Sequence, residues 1–168
     1  MGRHRFHGDP ARFEVLAEYI AEHYWHDIRY IADVAGGQGM LTRVLNKRYG
    51  YECEVIDPRD WVLRGVKNQA AEFRAETATY YDLLVGLHCD EALREMAQAA
   101  LLRPTILVPC CNFWSEEKLG QQELLAAIEQ FYGEHGVSYE RVTFAFKGPK
   151  NIGFVTVPPT CKAQIEGY

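Results

Sequence analysis

The stretch Tyr30-Ile-Ala-Asp-Val-Ala-Gly-Gly-Gln-Gly-Met40 decides the fold of this chain. Ile31, Ala32 and Val34 read as a short buried strand, and three glycines, Gly36, Gly37 and Gly39, follow it at once. Leu41, Val44 and Leu45 then recur at helical spacing. Glycine lets backbone approach a ligand closely and accepts unusual φ/ψ, so strand, glycine turn and helix together describe a nucleotide-cofactor turn. A second apolar run, Glu54-Val-Ile-Asp57, ends in a carboxylate where a ribose diol would need an acceptor. A dinucleotide fingerprint, G-x-G-x-x-G/A, is incomplete here: counted from Gly37 and Gly39, its last position is Thr42.

Outward from that stretch, alternating strands and helices follow. Asp9-Pro10 is a helix-start signal, and Phe13, Leu16, Ile20 and Tyr24 then fall on one face. The helix after the glycines runs from about Met40 to Tyr49 and stops at Gly50, and a second strand spans Glu52 to Ile56. A weak helix is expected near Trp61 to Asn68 and a short edge strand over Ala71 to Ala75. Asp82-Leu-Leu-Val-Gly-Leu-His88 is a clear strand, with Asp90 expected to cap the helix behind it. Arg103-Pro104 ends that helix, and Thr105 to Pro109 forms the next strand, leading into Cys110-Cys-Asn-Phe-Trp114. Ser115 is expected to cap a helix carrying Leu124, Leu125, Ile128 and Phe131, with Glu116 to Gly120 a flap if Gly120 splits it. A hairpin of Val142 to Phe146 and Ile152 to Val157, turning at Lys147 to Asn151, closes the sheet, and Pro158-Pro159 terminates it.

With 168 residues, 48% apolar and 24% charged, the chain reads as a single soluble domain over 1–168, with tails at 1–8 and 160–168. A net charge of −5 argues against indiscriminate nucleic-acid binding, although Arg3, His4, Arg5, His7 and Arg12 make a local basic segment or a solvated tail. Cys53, Cys89, Cys110, Cys111 and Cys161 are odd in number, which fits reduced thiols and a cytoplasmic location. No apolar run approaches the ~20 residues of a membrane span.

The strand ends should meet at one cleft: Asp33 and the glycines, Asp57, then His88-Cys89-Asp90, then Cys110-Cys111-Asn112. Asp33-Val-Ala-Gly-Gly-Gln-Gly39 resembles the Asp-h-Gly-x-Gly-x-Gly turn of the class I S-adenosylmethionine (SAM) methyltransferases, with Ala35 at the first glycine. The closing hairpin is similar to that family's last two strands. The resemblance implies a Rossmann-like α/β fold: a three-layer αβα sandwich, mostly parallel, of strand order 3-2-1-4-5-7-6. It also implies SAM as cofactor, with Asp33, Ala35, Gly36, Gly37, Gln38 and Gly39 along the methionine part. Asp57 would take the ribose hydroxyls, Pro58 one adenine face and Glu76 the adenine edge, with Gly86, Leu87 and His88 closing the site. Gly86-Leu-His-Cys-Asp90 replaces the Asn/Asp-Pro-Pro-Tyr of amino-group methyltransferases, which argues against adenine N6 as acceptor. Leu87-His88-Cys89 and Cys110-Cys111-Asn112 resemble a branch of tRNA 2′-O-ribose methyltransferases with Leu-Cys-Gly and Cys-Cys-His signatures. The branch's glycine is missing here, and Asn112 stands where histidine occurs.

His88, Cys89, Cys110 and Cys111 admit three readings. They pack the strand ends; or His88 is a general base, with Asn112 orienting the acceptor; or they bind zinc. Adjacent cysteines rarely share one tetrahedral ion and no C-x₂-C spacing is present, so no metal is expected. A covalent role for Cys110, after Pro109, is a further variant. The candidate catalytic residues are therefore His88, Asn112, Cys110 and Cys111. The expected function is methyl transfer to an acceptor ranked RNA first, with protein and small molecules retained. Recognition would fall to the N-terminal segment, the 110–120 loop, the hairpin, a second copy or another partner chain. Trp25, Trp61, Phe113 and Trp114 are candidates for stacking on it. A SAM-binding or protein-interaction module without turnover and an NAD-dependent oxidoreductase are the rivals.

Overall fold

A computed structural model describes residues 8–159. The stretches 1–7 and 160–168, where both expected tails, Cys161 and most of the N-terminal basic segment fall, lie outside the described residues.

The chain begins with α1 (Arg12–Tyr24), which leads into β1 (Tyr30–Val34), α2 (Met40–Tyr49), β2 (Glu52–Ile56) and β3 (Asn68–Gln69). After a 3-10 turn at Ala75–Tyr80 come β4 (Leu83–Leu87), α3 (Leu93–Ala99) and β5 (Thr105–Val108). Last are α4 (Gln121–Glu134), β6 (Ser138–Thr143) and β7 (Ile152–Val157). One seven-stranded sheet runs β3-β2-β1-β4-β5-β7-β6, with β7 antiparallel to both β5 and β6 and the other pairs parallel. This is the order the class I resemblance implied.

Helices cover both faces, so the strands are apolar on both sides. Leu83, Val85, Ile106 and Val108 pack with Leu16, Ile20, Leu41 and Leu45 of α1 and α2. Leu84, Leu107 and Phe154 point the other way, into Met96, Leu125, Ile128 and Tyr132 of α3 and α4. The antiparallel seam is pinned by two buried hydroxyls, Thr105 and Thr156, with oxygens 2.8 Å apart.

Several local expectations are corrected. Residues 61–67 form no helix: Leu63 donates its N–H to the Gln38 carbonyl at 2.9 Å, which ties the segment to the glycine loop instead. The edge strand is Asn68–Gln69, not 71–75, because it is Val55 and Ile56 that offer the ladder, while Phe73 turns into the core. Helix α4 starts at Gln121, after Gly120 rather than Ser115, with the Glu123 carboxylate accepting the Gly120 N–H at 3.1 Å. Its buried face adds Tyr132, with Phe131 half-buried against the same cluster. Asp90 does not cap α3, and its carboxylate is turned to Cys110. Strand β6 begins earlier than expected, at Ser138, and ends at Thr143, which leaves Phe144 and Phe146 free to pack under the turn. Arg12 is not part of a solvated patch: it is buried, and its Nη1 donates to the Asp9 carbonyl at 2.9 Å. No helix among the described residues is long and apolar enough to cross a membrane.

Candidate cofactor and acceptor cleft

The carboxyl ends of β1, β4 and β5 open into one cleft of about 1150 Å³. The glycine loop from Ala35 to Gly39 forms one wall, and Leu87, His88, Asp90, Cys110 and Cys111 form another. The roof is the β6–β7 turn, Phe146 to Lys150, together with Gly8, Asp9, Arg12 and Phe13. A clasp joins the two roof pieces, since one Asp9 carboxylate oxygen accepts the Lys147 N–H at 2.8 Å and the other accepts that of Ala11 at 3.0 Å.

The loop is built around Asp33. Its buried carboxylate accepts from the Thr42 hydroxyl at 2.9 Å and the Thr42 N–H at 3.3 Å, tying β1 to the start of α2. A Cβ on Gly36 would sit 2.5 Å from the Asp33 carboxyl carbon, so Gly36 is required for that support. Gly37 differs: its φ is +58° and a Cβ there would meet only Trp61 Nε1, at 3.9 Å, so the missing side chain leaves open cleft. Burial pushes the Asp33 carboxyl up to about 7, against the pull of the Thr42 hydrogen bonds.

Three non-glycine residues have positive φ among the described residues: Ala35 (53°), His88 (55°) and Asp90 (44°). All three line this cleft. Such backbone costs roughly 1–3 kcal/mol per residue and concentrates at functional sites. Ala35, the departure from the family's first glycine, is thus accommodated at the cost of a strained conformation.

Asp57 closes the far end of the loop without lining the cleft. Its solvent-inaccessible carboxylate accepts from the Gly37 N–H at 3.0 Å and the Arg59 N–H at 2.9 Å. It also accepts from Arg59 Nε at 3.0 Å and Nη2 at 2.9 Å. Burial raises this carboxyl, but the Arg59 and Gly37 bonds outweigh it and hold it below its ordinary value. The Arg59 guanidinium also lies over Trp61, 4.9 Å from the ring centroid, and both residues line the cleft.

His88 Nε2 lies 2.9 Å from the Lys150 carbonyl. A carbonyl only accepts, so Nε2 carries the proton and Nδ1 holds the basic lone pair. Burial lowers the imidazole pKa, over an opposing pull from that carbonyl, and favours the neutral ring. Cys110 Sγ donates to an Asp90 carboxylate oxygen at 3.1 Å, and Cys111 Sγ lies 3.5 Å away. Burial and Asp90 push the Cys110 thiol well up in the metal-free cleft, which disfavours the thiolate that the covalent reading needs. Burial pushes Cys89 up to about 12, consistent with a packing residue.

Four expected site residues fall elsewhere. Asn112 spends its amide locally, donating to the Glu117 carbonyl and accepting the Trp114 N–H at 3.2 Å, so it fixes the 110–120 loop and is not among the residues lining the cleft. Glu76 is exposed in the 3-10 turn, beside Arg74 and His135 in a separate shallow groove. Pro58 is exposed off the cleft, and Gly86 is buried, where a Cβ would press against Cys89, Met96 and Leu107 at 3.1 to 3.2 Å. The sequence reading missed Thr42 and Arg59 as supports and the cationic roof of Arg12, Lys147 and Lys150. The Asp57-x-Arg59 spacing was the available signal for one of them.

No protein-family model and no curated protein sequence matches this chain. Solved structures do. The sugar N-methyltransferase KedS8 from Streptoalloteichus superposes with a TM-score of 0.55 at 13% identity, covering 94% of this chain and 98% of that one. The methyltransferase domain of bacterial CtHen1-C gives 0.61 at 14% identity, over 88% and 97%. A SAM-dependent methyltransferase from Aquifex aeolicus gives 0.55 at 14%, over 89% and 93%. Together with the strand order, these place the chain in the class I SAM-dependent methyltransferase fold. At such identities the likeness is one of fold.

The residues present fit SAM in most respects. The cleft is large enough for a nucleoside-sized ligand, which pockets of roughly 300–1,000 Å³ accept. Gly37 leaves space against it, and the Asp57 carboxylate lies just behind the loop, on the Gly37 N–H. The qualification is Arg59, which holds that carboxylate and must give way to a diol.

Proposed function

We propose that this chain is a SAM-dependent methyltransferase. The observation that carries the reading is the single cleft joining the glycine loop to His88 beneath a cationic roof. When bound, SAM supplies an electrophilic methyl group on a sulfonium. The loop from Ala35 to Gly39, held rigid by Asp33 and Thr42, shapes the cofactor wall, and Asp57 offers oxygens to the ribose once Arg59 swings out. Leu87 and Phe13 exclude water from the apolar part of the cleft. His88 receives the acceptor's proton at Nδ1, while its Nε2–H stays on the Lys150 carbonyl. Positioning supplies most of the rate in such a transfer.

Arg12, Lys147 and Lys150 line the cleft of a chain whose net charge is −5, and this contrast ranks a phosphate-bearing acceptor, RNA, first. Tritiated SAM incubated with RNA-depleted and protein-depleted lysate tests the assignment. Label transferred only where RNA is present supports it, and label on protein alone moves the acceptor class. A second reading, SAM binding without turnover, is favoured by one observation, the strained Ala35 where the class I turn has its first glycine.

A further inference from the structure

The cleft wall contributed by β4 and β5 carries a cluster that methyl transfer does not use. Asp90, Cys110 and Cys111 present a carboxylate oxygen and two sulfurs that all lie within 4.8 Å of one another. We propose that these three side chains bind a thiophilic divalent cation, of which Zn²⁺ is the common biological example, with its fourth coordination position open to the cleft.

The distances carry the inference. A tetrahedral ion with sulfur ligands at about 2.3 Å needs its sulfurs about 3.8 Å apart, and an oxygen at about 2.0 Å lies about 3.5 Å from each sulfur. Cys110 Sγ and Cys111 Sγ are 3.5 Å apart, and Asp90 Oδ1 is 3.1 Å from Cys110 Sγ. These two edges are within a few tenths of an ångström of what the ion requires, and the third, from Asp90 to Cys111, is within 4.8 Å. The usual objection to adjacent cysteines is that their side chains diverge, and in this loop they converge. Asp90 is held toward them by a positive φ of 44° that an aspartate seldom adopts.

Charge and access agree with the distances. Two thiolates, a carboxylate, a dication and the neighbouring Lys150 ammonium, 3.8 Å from Cys111 Sγ, sum to zero. All three ligands line the cleft, with Asp90 and Cys111 exposed, so an ion has an entry path. Three protein ligands and a free position form the open arrangement that lets a metal receive an exogenous oxygen or sulfur donor. The site does not depend on the cofactor assignment, because none of its ligands belongs to the glycine loop or to Asp57.

Cobalt titration of the full-length, reduced and chelator-stripped protein tests the site. The expected result is one equivalent of Co²⁺ bound, with a thiolate-to-cobalt charge-transfer band and the strong visible bands of tetrahedral cobalt, all bleached by Zn²⁺. Cys110→Ser and Cys111→Ser should each remove much of the charge-transfer band. Asp90→Asn should keep the band and weaken binding by roughly tenfold or more. Absence of the band in folded wild-type protein overturns the proposal. So does an unchanged band in the Cys110→Ser/Cys111→Ser double variant, which would put the ligands elsewhere in the chain. SAM affinity measured on the same preparations separates failure of this site from failure of the methyltransferase reading.

Discussion

The Arg59 guanidinium grips both oxygens of the Asp57 carboxylate, with Nε at 3.0 Å and Nη2 at 2.9 Å. With the N–H groups of Gly37 and Arg59 added, four donors fill the roughly four lone-pair sites a carboxylate offers. In the proposed SAM complex, a ribose diol would therefore compete with Arg59 for Asp57. Since the Arg59 side chain is about half exposed, that competition is modest.

Arg59→Ala should tighten SAM and S-adenosylhomocysteine binding by up to about fivefold, the ~1 kcal/mol that a solvent-screened ion pair contributes at most. Asp57→Ala should weaken both by roughly 30-fold, or about 2 kcal/mol, through loss of charge-assisted hydrogen bonds. Titration calorimetry on both variants checks the pair. Weaker binding in Arg59→Ala would make Arg59 a cofactor contact rather than a competitor.

At Gly37 a side chain would enter the cleft and also meet a φ of +58°. Gly37→Ala should reduce SAM affinity, and Gly37→Val should abolish it while a cooperative thermal transition remains. The backbone strain costs roughly 1–2 kcal/mol, less than a typical domain's stability. Full affinity in folded Gly37→Val would make the loop structural only.

On the proposed mechanism, the neutral His88 imidazole is the active base. Because its pKa is lowered by burial, turnover should rise with pH through a midpoint below the ordinary 6.5 and then level off. His88→Ala should cut methyl transfer by about 10²-fold or more and leave SAM affinity within a few-fold. A pH profile unchanged in His88→Ala would show that another group takes the proton.

Asp33 makes a stability prediction. Its carboxyl titrates at about 7 when folded, against an ordinary 3.8, so the folded state holds the extra proton between those values. Its contribution is therefore fully present below pH ~4 and is lost as pH rises toward 7. Asp33→Asn keeps an acceptor for Thr42 but cannot ionise. Relative to wild type, the variant should gain a few kcal/mol in denaturant unfolding between pH 4.5 and pH 8. A constant difference across that range would show that Asp33 ionises freely in the folded protein.

How far the sequence reached depended on range. Elements with strong local signals, such as Met40–Tyr49 ended by Gly50 or Glu52–Ile56, have the bounds their patterns predict. The 61–75 segment was misread because its apolar residues serve the glycine loop and the core: Leu63 bonds to Gln38, and Val66 packs under Gly39. Ala71 and Phe73 imitate a strand, yet the ladder is made by the polar pair Asn68–Gln69. At the site, the loop glycines, Leu87, His88, Cys110 and Cys111 were placed by reasoning about strand ends. That Asn112 spends its amide on Glu117 and Trp114, off the cleft, leaves no trace in residue type. Lys150 and Arg12 reach the cleft through the hairpin turn and the Asp9–Lys147 clasp, which join residues 138 positions apart. The convergence of Cys110, Cys111 and Asp90 is likewise a matter of loop geometry.

The account rests on the cleft being a SAM site, and calorimetric titration of the full-length protein with S-adenosylhomocysteine and, separately, NAD tests it most directly. Single-site saturable binding of S-adenosylhomocysteine, absent in folded Gly37→Val, with no heat from NAD, is the predicted result. Binding of NAD with no response to S-adenosylhomocysteine, or identical S-adenosylhomocysteine affinity in wild type and Gly37→Val, would contradict it.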